Sequence, residues 1–264
     1  HFDLQDFKDI YFWEWLHRVI GRFIGLVFII PFIYFLIKKQ LTKSTLKKSI
    51  ILLVLGGFQG FLGWYMVKSG LVDRPDVSHY RLAAHLTTAF ITFAYTFWVI
   101  LDILYPIKKE FNKRLKRIIQ VSLAILIIQI VYGAFVAGLD AGFIHNFWPM
   151  MAEGKFIHET AYIEQEPLYR NFIEGKSGVQ FVHRILAYIV VISIFIIWNF
   201  TRKMELSRDQ RLGVNGLIYV IVLQFTLGVF TLLLAVPVWL GVAHQIGAFF
   251  LLTAMTFVLH RFSK

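Results

Sequence analysis

Long apolar stretches, separated by short segments rich in charge, dominate the hydropathy pattern of the chain. Each stretch is long enough to cross about 30 Å of hydrocarbon, which takes ~20 residues of helix. The pattern therefore predicts an all-α integral membrane protein with seven transmembrane helices here. The predicted spans are 14–37, 49–67, 82–105, 118–138, 179–200, 212–234 and 238–259.

The charged residues between the spans differ in sign from one side of the predicted membrane to the other. Segments 38–48, 106–117 and 201–211 are rich in Lys and Arg, whereas segment 139–178 is rich in Glu. Because Lys and Arg accumulate on the cytoplasmic side, we expect the basic segments inside and the acidic segment outside. The net charge of +11 is then a matter of topology, and no nucleic-acid partner is expected.

The composition supports the membrane class and excludes several chemistries. Hydrophobic residues make up 58% of the chain, and there is no Cys. Disulfides, thiolate metal sites and Cys nucleophiles are therefore excluded. The first residue is His and no signal-peptide pattern opens the sequence, so we expect the sequence to be the remainder of a longer one.

The chain contains an internal repeat, with three matches in the same order at nearly one offset. It predicts two pseudo-symmetric four-helix bundles, residues 1–110 and 111–264, related by an axis along the membrane normal. The first bundle shows only three helices, so one further helix is expected before His1. The matches are EWLHRVIGRFIGLVF (14–28) with QFVHRILAYIVVISI (180–194), QGFLG (59–63) with QFTLG (224–228), and AAHLTTAF (83–90) with VAHQIGAF (242–249).

Four histidines occupy matching positions in the two copies. His17 and His183 open one pair of helices, His85 and His244 open the other, and all four are predicted near the outer face. Two imidazoles on different helices at one depth are what a bundle needs to hold a haem iron between axial ligands. The alternative is that these histidines make hydrogen bonds between helices.

The other five histidines are interpreted as solvated surface residues. His1, His79, His145 and His158 lie in or beside the predicted outer segments, and His260 lies at the inner end of the last span. Of these, His79 is the nearest to the mouth of the predicted site.

Arginines accompany the paired histidines. Arg18 and Arg184 directly follow the first pair, Arg81 precedes a histidine of the second pair by one turn, and Arg22 lies one turn deeper in the membrane. Guanidinium groups pair bidentately with carboxylates, so these arginines are candidates for binding haem propionates. The alternative is that they extend to the membrane interface, as long basic side chains at helix ends commonly do.

Glu14 distinguishes the two copies. It precedes His17 by three residues and shares its helix face, whereas the residue in register, Gln180, is not ionisable. The difference favours one copy with a permanent cofactor and one with proton chemistry. The alternative is that Glu14 lies among the lipid headgroups and pairs with Arg18 at i+4.

Together these motifs resemble the haem A synthase family, which converts haem O to haem A for cytochrome c oxidase. The resemblance covers nearly the whole chain, and it implies eight helices in two bundles. The implied reaction oxidises the C8 methyl group of haem O to a formyl group by successive hydroxylations. The motifs are EWLHRVIGR (14–22), LGGFQGFLGWYMVKSGL (55–71), RLAAHLTTAF (81–90), HRILAY (183–188) and AHQIGA (243–248).

The resemblance also assigns roles to residues of this chain. His183 and His244 would ligate the iron of a haem b cofactor, and His17 and His85 would line the site of the substrate haem O. Glu14 would be the family's essential acid. Because no Cys is present, the chain resembles the cysteine-free branch, and no disulfide redox step is expected.

Localisation and partners follow from the same resemblance. The membrane would be a bacterial cytoplasmic or a mitochondrial inner membrane, with the histidine sites toward the periplasmic or intermembrane face. Haem O synthase, an unidentified electron donor and further copies in a homo-oligomer are expected partners besides the lipid bilayer. The alternative function is a dihaem b-type cytochrome, which would use the same histidines without Glu14. A transporter is disfavoured because its ionisable residues would cluster at mid-bilayer.

Overall fold

The computed structural model describes residues 4–68, 77–105 and 112–263. Within these ranges, seven helices are long and apolar enough to cross a membrane, which confirms the all-α membrane fold. With the short helix α5, which is not one of the seven, the α-helices are α1 (Leu4–Ile37), α2 (Lys43–Val67), α3 (His79–Leu104), α4 (Lys113–Gly138), α5 (Thr160–Ile163), α6 (Lys176–Thr201), α7 (Arg208–Leu233) and α8 (Val238–Arg261).

Most long helices begin a few residues before the predicted spans. Hydropathy detects only the apolar part of a helix, and the first turns of several helices are polar. The first turns of α4 and α7 are basic, and polar N-caps start them. Asn112 accepts hydrogen bonds from the backbone N–H groups of Arg114 and Leu115, at 3.0 and 3.1 Å. Ser207 and Gln210 form a reciprocal capping box at the start of α7. These caps satisfy backbone donors that the first turn leaves without partners.

The chain divides into two compact units, residues 1–64 and 65–264. The first unit contains α1 and most of α2, and the second contains α3 to α8. Within the second unit α4, α6, α7 and α8 close a ring of four helices, and α3 packs on α4 and α8. The two bundles predicted from the sequence repeat, residues 1–110 and 111–264, describe symmetry and not compactness. That division stays a prediction.

The core of the second unit is built from aliphatic side chains that point into the ring of four helices. Membrane helices associate by such close packing, since the lipid is as apolar as their side chains. Their outward faces carry large exposed apolar side chains, as lipid-facing surfaces do, among them Ile192, Tyr219 and Phe250. Fully buried inward residues are Leu115, Ile119, Ile194, Ile197, Leu217 and Met255.

His260 lies at the C-terminal end of α8 and is buried, so the prediction of a solvated surface residue is wrong. Its Nε2 donates to the Asp102 carboxylate on α3 at 3.0 Å, and its ring meets the Trp98 ring edge to face. A residue at the end of a helix is expected to be exposed to solvent. His260 is buried because α3 packs against this end of α8. The hydrogen bond gives the Asp102 carboxylate and Nε2 of His260 a partner inside the protein, as burial favours.

Candidate functional site

Two histidines point into the ring of four helices, His183 from α6 and His244 from α8. Both residues are half-buried, and the Nδ1 atom of each is fully buried. These Nδ1 atoms have no hydrogen-bond partner among the described residues. The two imidazoles also lie close enough to interact electrostatically. The structure therefore brings one predicted histidine pair together in one site.

Glycines provide the space that the two imidazoles occupy. A Cβ atom at Gly133 of α4 would lie 3.3 Å from Cε1 of His183, and one at Gly228 of α7 would lie 2.8 Å from Cε1 of His244. The distance at Gly228 is shorter than real Cβ atoms almost ever show, so a larger residue there would require a shift. Each histidine thus packs directly against the backbone of the neighbouring helix, and the two contacts are equivalent.

A glutamine lies one helical turn before each of these glycines. The amide nitrogen of Gln129 is 3.4 Å from Nε2 of His183, and that of Gln224 is 3.5 Å from Nε2 of His244. The sequence repeat pointed to Gln224 but missed Gln129. The signal that finds both is the spacing Gln-x-x-x-Gly, which recurs as QIVYG (129–133) and QFTLG (224–228).

Arg184 holds residues 145–150 against α6. Its guanidinium donates to the backbone carbonyls of Phe147, Met150 and His145, at 2.9, 3.1 and 2.5 Å. It also donates to Oε1 of Gln180 at 3.1 Å. Several acceptors of the protein thus engage this side chain, and its role toward a propionate stays a prediction.

Segment 139–175, named the outer segment after its predicted side of the membrane, folds around Asn171, which is fully buried. Its side chain accepts from the backbone N–H of Gln165 at 2.7 Å and donates to the carbonyls of Tyr162, Gln165 and Leu168. The backbone of Asn171 lies directly on Gly178 of α6, where a Cβ atom would approach the Asn171 carbonyl oxygen to 2.1 Å. Gly178 is therefore required for the outer segment to pack on the helix.

Replacing Gly178 with alanine should destabilise the protein through this contact. Overpacking against backbone costs on the order of 3 kcal/mol, so the thermal unfolding midpoint in detergent should fall by about 5–10 °C. Gly216→Ala is the matched control, because no atom lies within 4 Å of a Cβ placed there. Equal midpoints for the two variants would contradict the packing.

Three histidines interpreted as solvated are instead half-buried and hydrogen-bonded, so that prediction is wrong for them. His79 donates to the Ile173 carbonyl at 3.1 Å. His145 bonds to the Ser177 hydroxyl and His158 to the Thr160 hydroxyl, both at 2.8 Å. The two hydroxyls are bonded to each other at 2.8 Å, and the rings of His145 and His158 lie 4.9 Å apart. The remaining one, His1, lies outside the described residues.

The stability of the outer segment should depend on pH through His145. Burial, together with the charges of His158 and Arg184, lowers the pKa of His145 below its ordinary value, and Glu164 opposes this shift. The unfolded chain then binds a proton that the folded protein does not, so stability falls as the pH drops below about 6.5.

We expect a lower thermal unfolding midpoint at about pH 5.5 than at about pH 7.5. His145→Gln should reduce this difference, because it removes the titrating group. The same pH dependence in the variant and the wild type would show that His145 does not cause it.

In the first unit, Glu14 forms an ion pair with Arg18 at i+4, and the two side chains are 44% and 50% exposed. This is the pairing that the sequence left open as an alternative. The residues in register, Gln180 and Arg184, are also in contact at i+4. Both copies therefore make the same local contact, and only the charge of the first residue differs.

The other predicted site residues lie on α1 and α3. His17 and Arg22 of α1 are exposed in the first unit, and His85 of α3 is half-buried in the second. Arg81 donates to the Tyr65 carbonyl at 2.9 Å and stacks on the Tyr65 ring at 3.8 Å. The roles of these residues toward a haem stay predictions.

The donor set around His183 and His244 fits a haem. His183 and His244 would hold an iron whose other ligands come from a macrocycle. Each has a buried ring nitrogen without a partner. Among the described residues no group of three or more His, Cys, Asp or Glu could hold a free metal ion. The site therefore suits a metal that brings ligands of its own.

Fold and site together define an integral membrane protein with a histidine pair inside a four-helix ring. The profile of the COX15-CtaA family, described as cytochrome oxidase assembly protein, matches residues 1–256. The chain belongs to this family.

Relatives of known name agree with this assignment. A protein of Flavobacterium johnsoniae named "Heme A synthase" is 61% identical over 265 residues, which cover 100% of this chain and 77% of the relative. One of Flavobacterium psychrophilum with the same name is 60% identical over 263 residues, covering 100% and 78%. One of Nitrosospira multiformis, also so named, is 44% identical over 265 residues, covering 99% and 74%.

Proposed function

We propose that the protein is a haem A synthase, which oxidises the C8 methyl group of haem O to a formyl group. The observation that carries the proposal is the pair His183 and His244, each packed against a glycine inside the ring of helices. The names of the relatives support the reaction.

His183 and His244 would hold a haem b cofactor, which supplies one-electron redox chemistry when bound. The chain's own contribution is to exclude water and to fix the two imidazoles. Arg184 does the first by holding the carbonyls of residues 145–150 against α6. Gly133 and Gly228 do the second by letting the rings lie on α4 and α7.

The first copy would bind the substrate. His17 and His85 are in register with the cofactor ligands, so they are proposed to contact haem O. Arg18, Arg22 and Arg81 are proposed to bind its propionates, for which a guanidinium is well suited. The support for this part is the sequence register alone.

Glu14 is proposed as the acid–base group of the first copy. It is the ionisable residue where the second copy has Gln180, and it would position or deprotonate a water or hydroxyl group at the methyl carbon. Its carboxylate forms an i+4 ion pair with Arg18.

The membrane setting is part of the proposal. The positive-inside rule places the basic segments in the cytoplasm or matrix and segment 139–178 on the opposite side. The histidine sites would then face the periplasm or the intermembrane space. Haem O synthase, as supplier of the substrate, an electron donor and further copies of the chain are the proposed partners.

The test is the identity of the haem that the protein binds and makes. The protein is produced in cells that make haem O and lack any other haem A synthase, and its pigments are identified by pyridine haemochrome spectra and mass. We expect haem b together with haem A or haem O. Haem b alone, with no haem A formed in the cells, would indicate the alternative, a dihaem b-type cytochrome.

A further inference from the structure

Residues 145–150, which we call the strap, run across the surface of α6 and α7. On α6 the strap is held by Arg184, whose guanidinium donates to three of the strap's backbone carbonyls. On the α7 side the strap is held by Asn146, whose side-chain amide donates to the Leu232 carbonyl at 2.7 Å. The strap thus bridges the two helices.

The turns of α6 and α7 beneath the strap are the ones that carry the proposed haem site. On α6, the arginine that holds the strap directly follows His183. On α7, the Phe225 ring lies 6.3 Å from the Trp148 ring of the strap. Gly228, which packs against His244, follows one turn later. The strap therefore closes the α6–α7 side of this site.

A chain of three hydrogen bonds fastens His145, the first residue of the strap, to α6. Its Nε2 bonds to the Ser177 hydroxyl at 2.8 Å. The Thr160 hydroxyl continues the chain, with bonds of 2.8 Å to Ser177 and to Nδ1 of His158. Three hydrogen bonds need three protons, and the two hydroxyls supply two of them. The third comes from one imidazole, so the other imidazole faces the chain with a lone pair.

Protonation of that lone pair disrupts the chain. Four protons then meet three hydrogen bonds, and one hydroxyl proton loses its acceptor in the chain. Ser177 is 1% exposed, so this loss occurs inside the protein, where it costs free energy. The new charge is also unfavourable, because the rings of His145 and His158 lie 4.9 Å apart and Arg184 adds a further positive charge. Glu164 is the negative charge that opposes them.

We propose that the strap is a pH-sensitive closure of the haem site, which is released from α6 when the His145–His158 pair takes up a proton. Its role as a closure rests on the proposed haem site, whereas its release does not. Below the ordinary pKa of His, about 6.5, uptake of one proton raises the ratio of released to closed strap by up to about tenfold per pH unit. Release opens the α6–α7 side of the site to water and to exchange of haem.

The test measures the position of the strap with pairs of spin labels, which is direct because the chain has no Cys. Phe147→Cys and Phe230→Cys place one label on the strap and one on α7, both at exposed positions. For the purified protein in detergent, pulsed electron paramagnetic resonance should give a longer and broader distance at about pH 5.5 than at about pH 7.5. The control pair Ile189→Cys and Phe230→Cys, on α6 and α7, should give one distance at both.

His145→Gln removes the titrating ring and leaves a neutral donor and acceptor in its place. The strap of this variant should stay closed at both pH values. At about pH 5.5 the variant should lose haem to an excess of apomyoglobin up to about tenfold more slowly than the wild type. Comparison of the two proteins at one pH cancels any effect of pH on the apomyoglobin.

His79→Gln is the matched control. The Ile173 carbonyl that His79 contacts accepts a hydrogen bond from a neutral or a charged ring alike. This variant should therefore keep the wild-type pH dependence of the strap. Circular dichroism identifies the variants that remain folded, and His158→Gln, which removes the other titrating ring, replaces His145→Gln if that variant does not fold.

Equal label distances at both pH values in the wild type would overturn the inference, as would the same pH-dependent change in His145→Gln. A strap that opens without any change in the rate of haem loss would overturn its role as a closure. A wild-type protein without haem would instead overturn the proposed haem site, and the label distances would still decide whether the strap opens. The two failures are therefore distinguishable.

Discussion

Replacing His183 with alanine should remove the haem from the second unit. The substitution deletes a proposed ligand of the haem iron, so we expect the haem content of the purified protein to fall from nearly stoichiometric to a trace. The loss should exceed the ~10–100-fold effect of removing a group that only orients a ligand. Haem A formation should disappear with it. Pyridine haemochrome spectra of the purified protein measure the first effect, and haem analysis of the cells measures the second.

A matched control distinguishes the loss of a ligand from a general effect of losing a histidine. His79 is also half-buried at the first turn of a helix, and it bonds to the Ile173 carbonyl. His79→Ala should therefore keep its haem. Circular dichroism should show that both variants stay helical. A His183→Ala protein that retains haem with an unchanged spectrum would show that His183 is not a ligand.

Replacing Glu14 with glutamine should stop catalysis while leaving the protein loaded with haem. The change gives the first copy the Gln–Arg contact that the second copy already has between Gln180 and Arg184, so the local structure should persist. Loss of a general acid–base group lowers rates by about 10²–10⁴-fold. Haem O or its alcohol should accumulate, as chromatography and mass spectrometry of extracted haem would show.

Glu153→Gln is the control for this experiment, because Glu153 is an exposed carboxylate of the outer segment. It should leave haem A formation unchanged. Normal haem A output from Glu14→Gln would contradict the proposed role of Glu14. It would not bear on the proposed haem site of His183 and His244.

The membrane helices were predictable from the sequence because the hydrocarbon of the bilayer requires a long apolar stretch in each of them. Their bounds differ mainly at basic ends, as at Lys113, where the helix continues beyond its apolar part. The pairing of His183 with His244 was also predictable, since the repeat places both at one depth. Gln129 was missed because its helix has no counterpart within residues 1–110. The comparison of copies therefore gave no signal there.

The misplaced histidines show what sequence position alone cannot supply. His260 and His145 lie at a helix end and in a loop, where exposure is the usual outcome. Their burial depends on contacts with residues distant in sequence, Asp102 and Ser177. Such contacts follow from helix packing and from the fold of the outer segment. Neither leaves a periodic pattern.

The shared contact of Glu14 with Arg18 and of Gln180 with Arg184 has a consequence for the history of the chain. Codons for Glu and Gln differ only in their first base, so one mutational step separates the two copies at this position. An ancestral duplicate could thus gain or lose its acidic group while the helix and its arginine contact stayed as they were. The charge at this position can therefore change while the i+4 contact is kept.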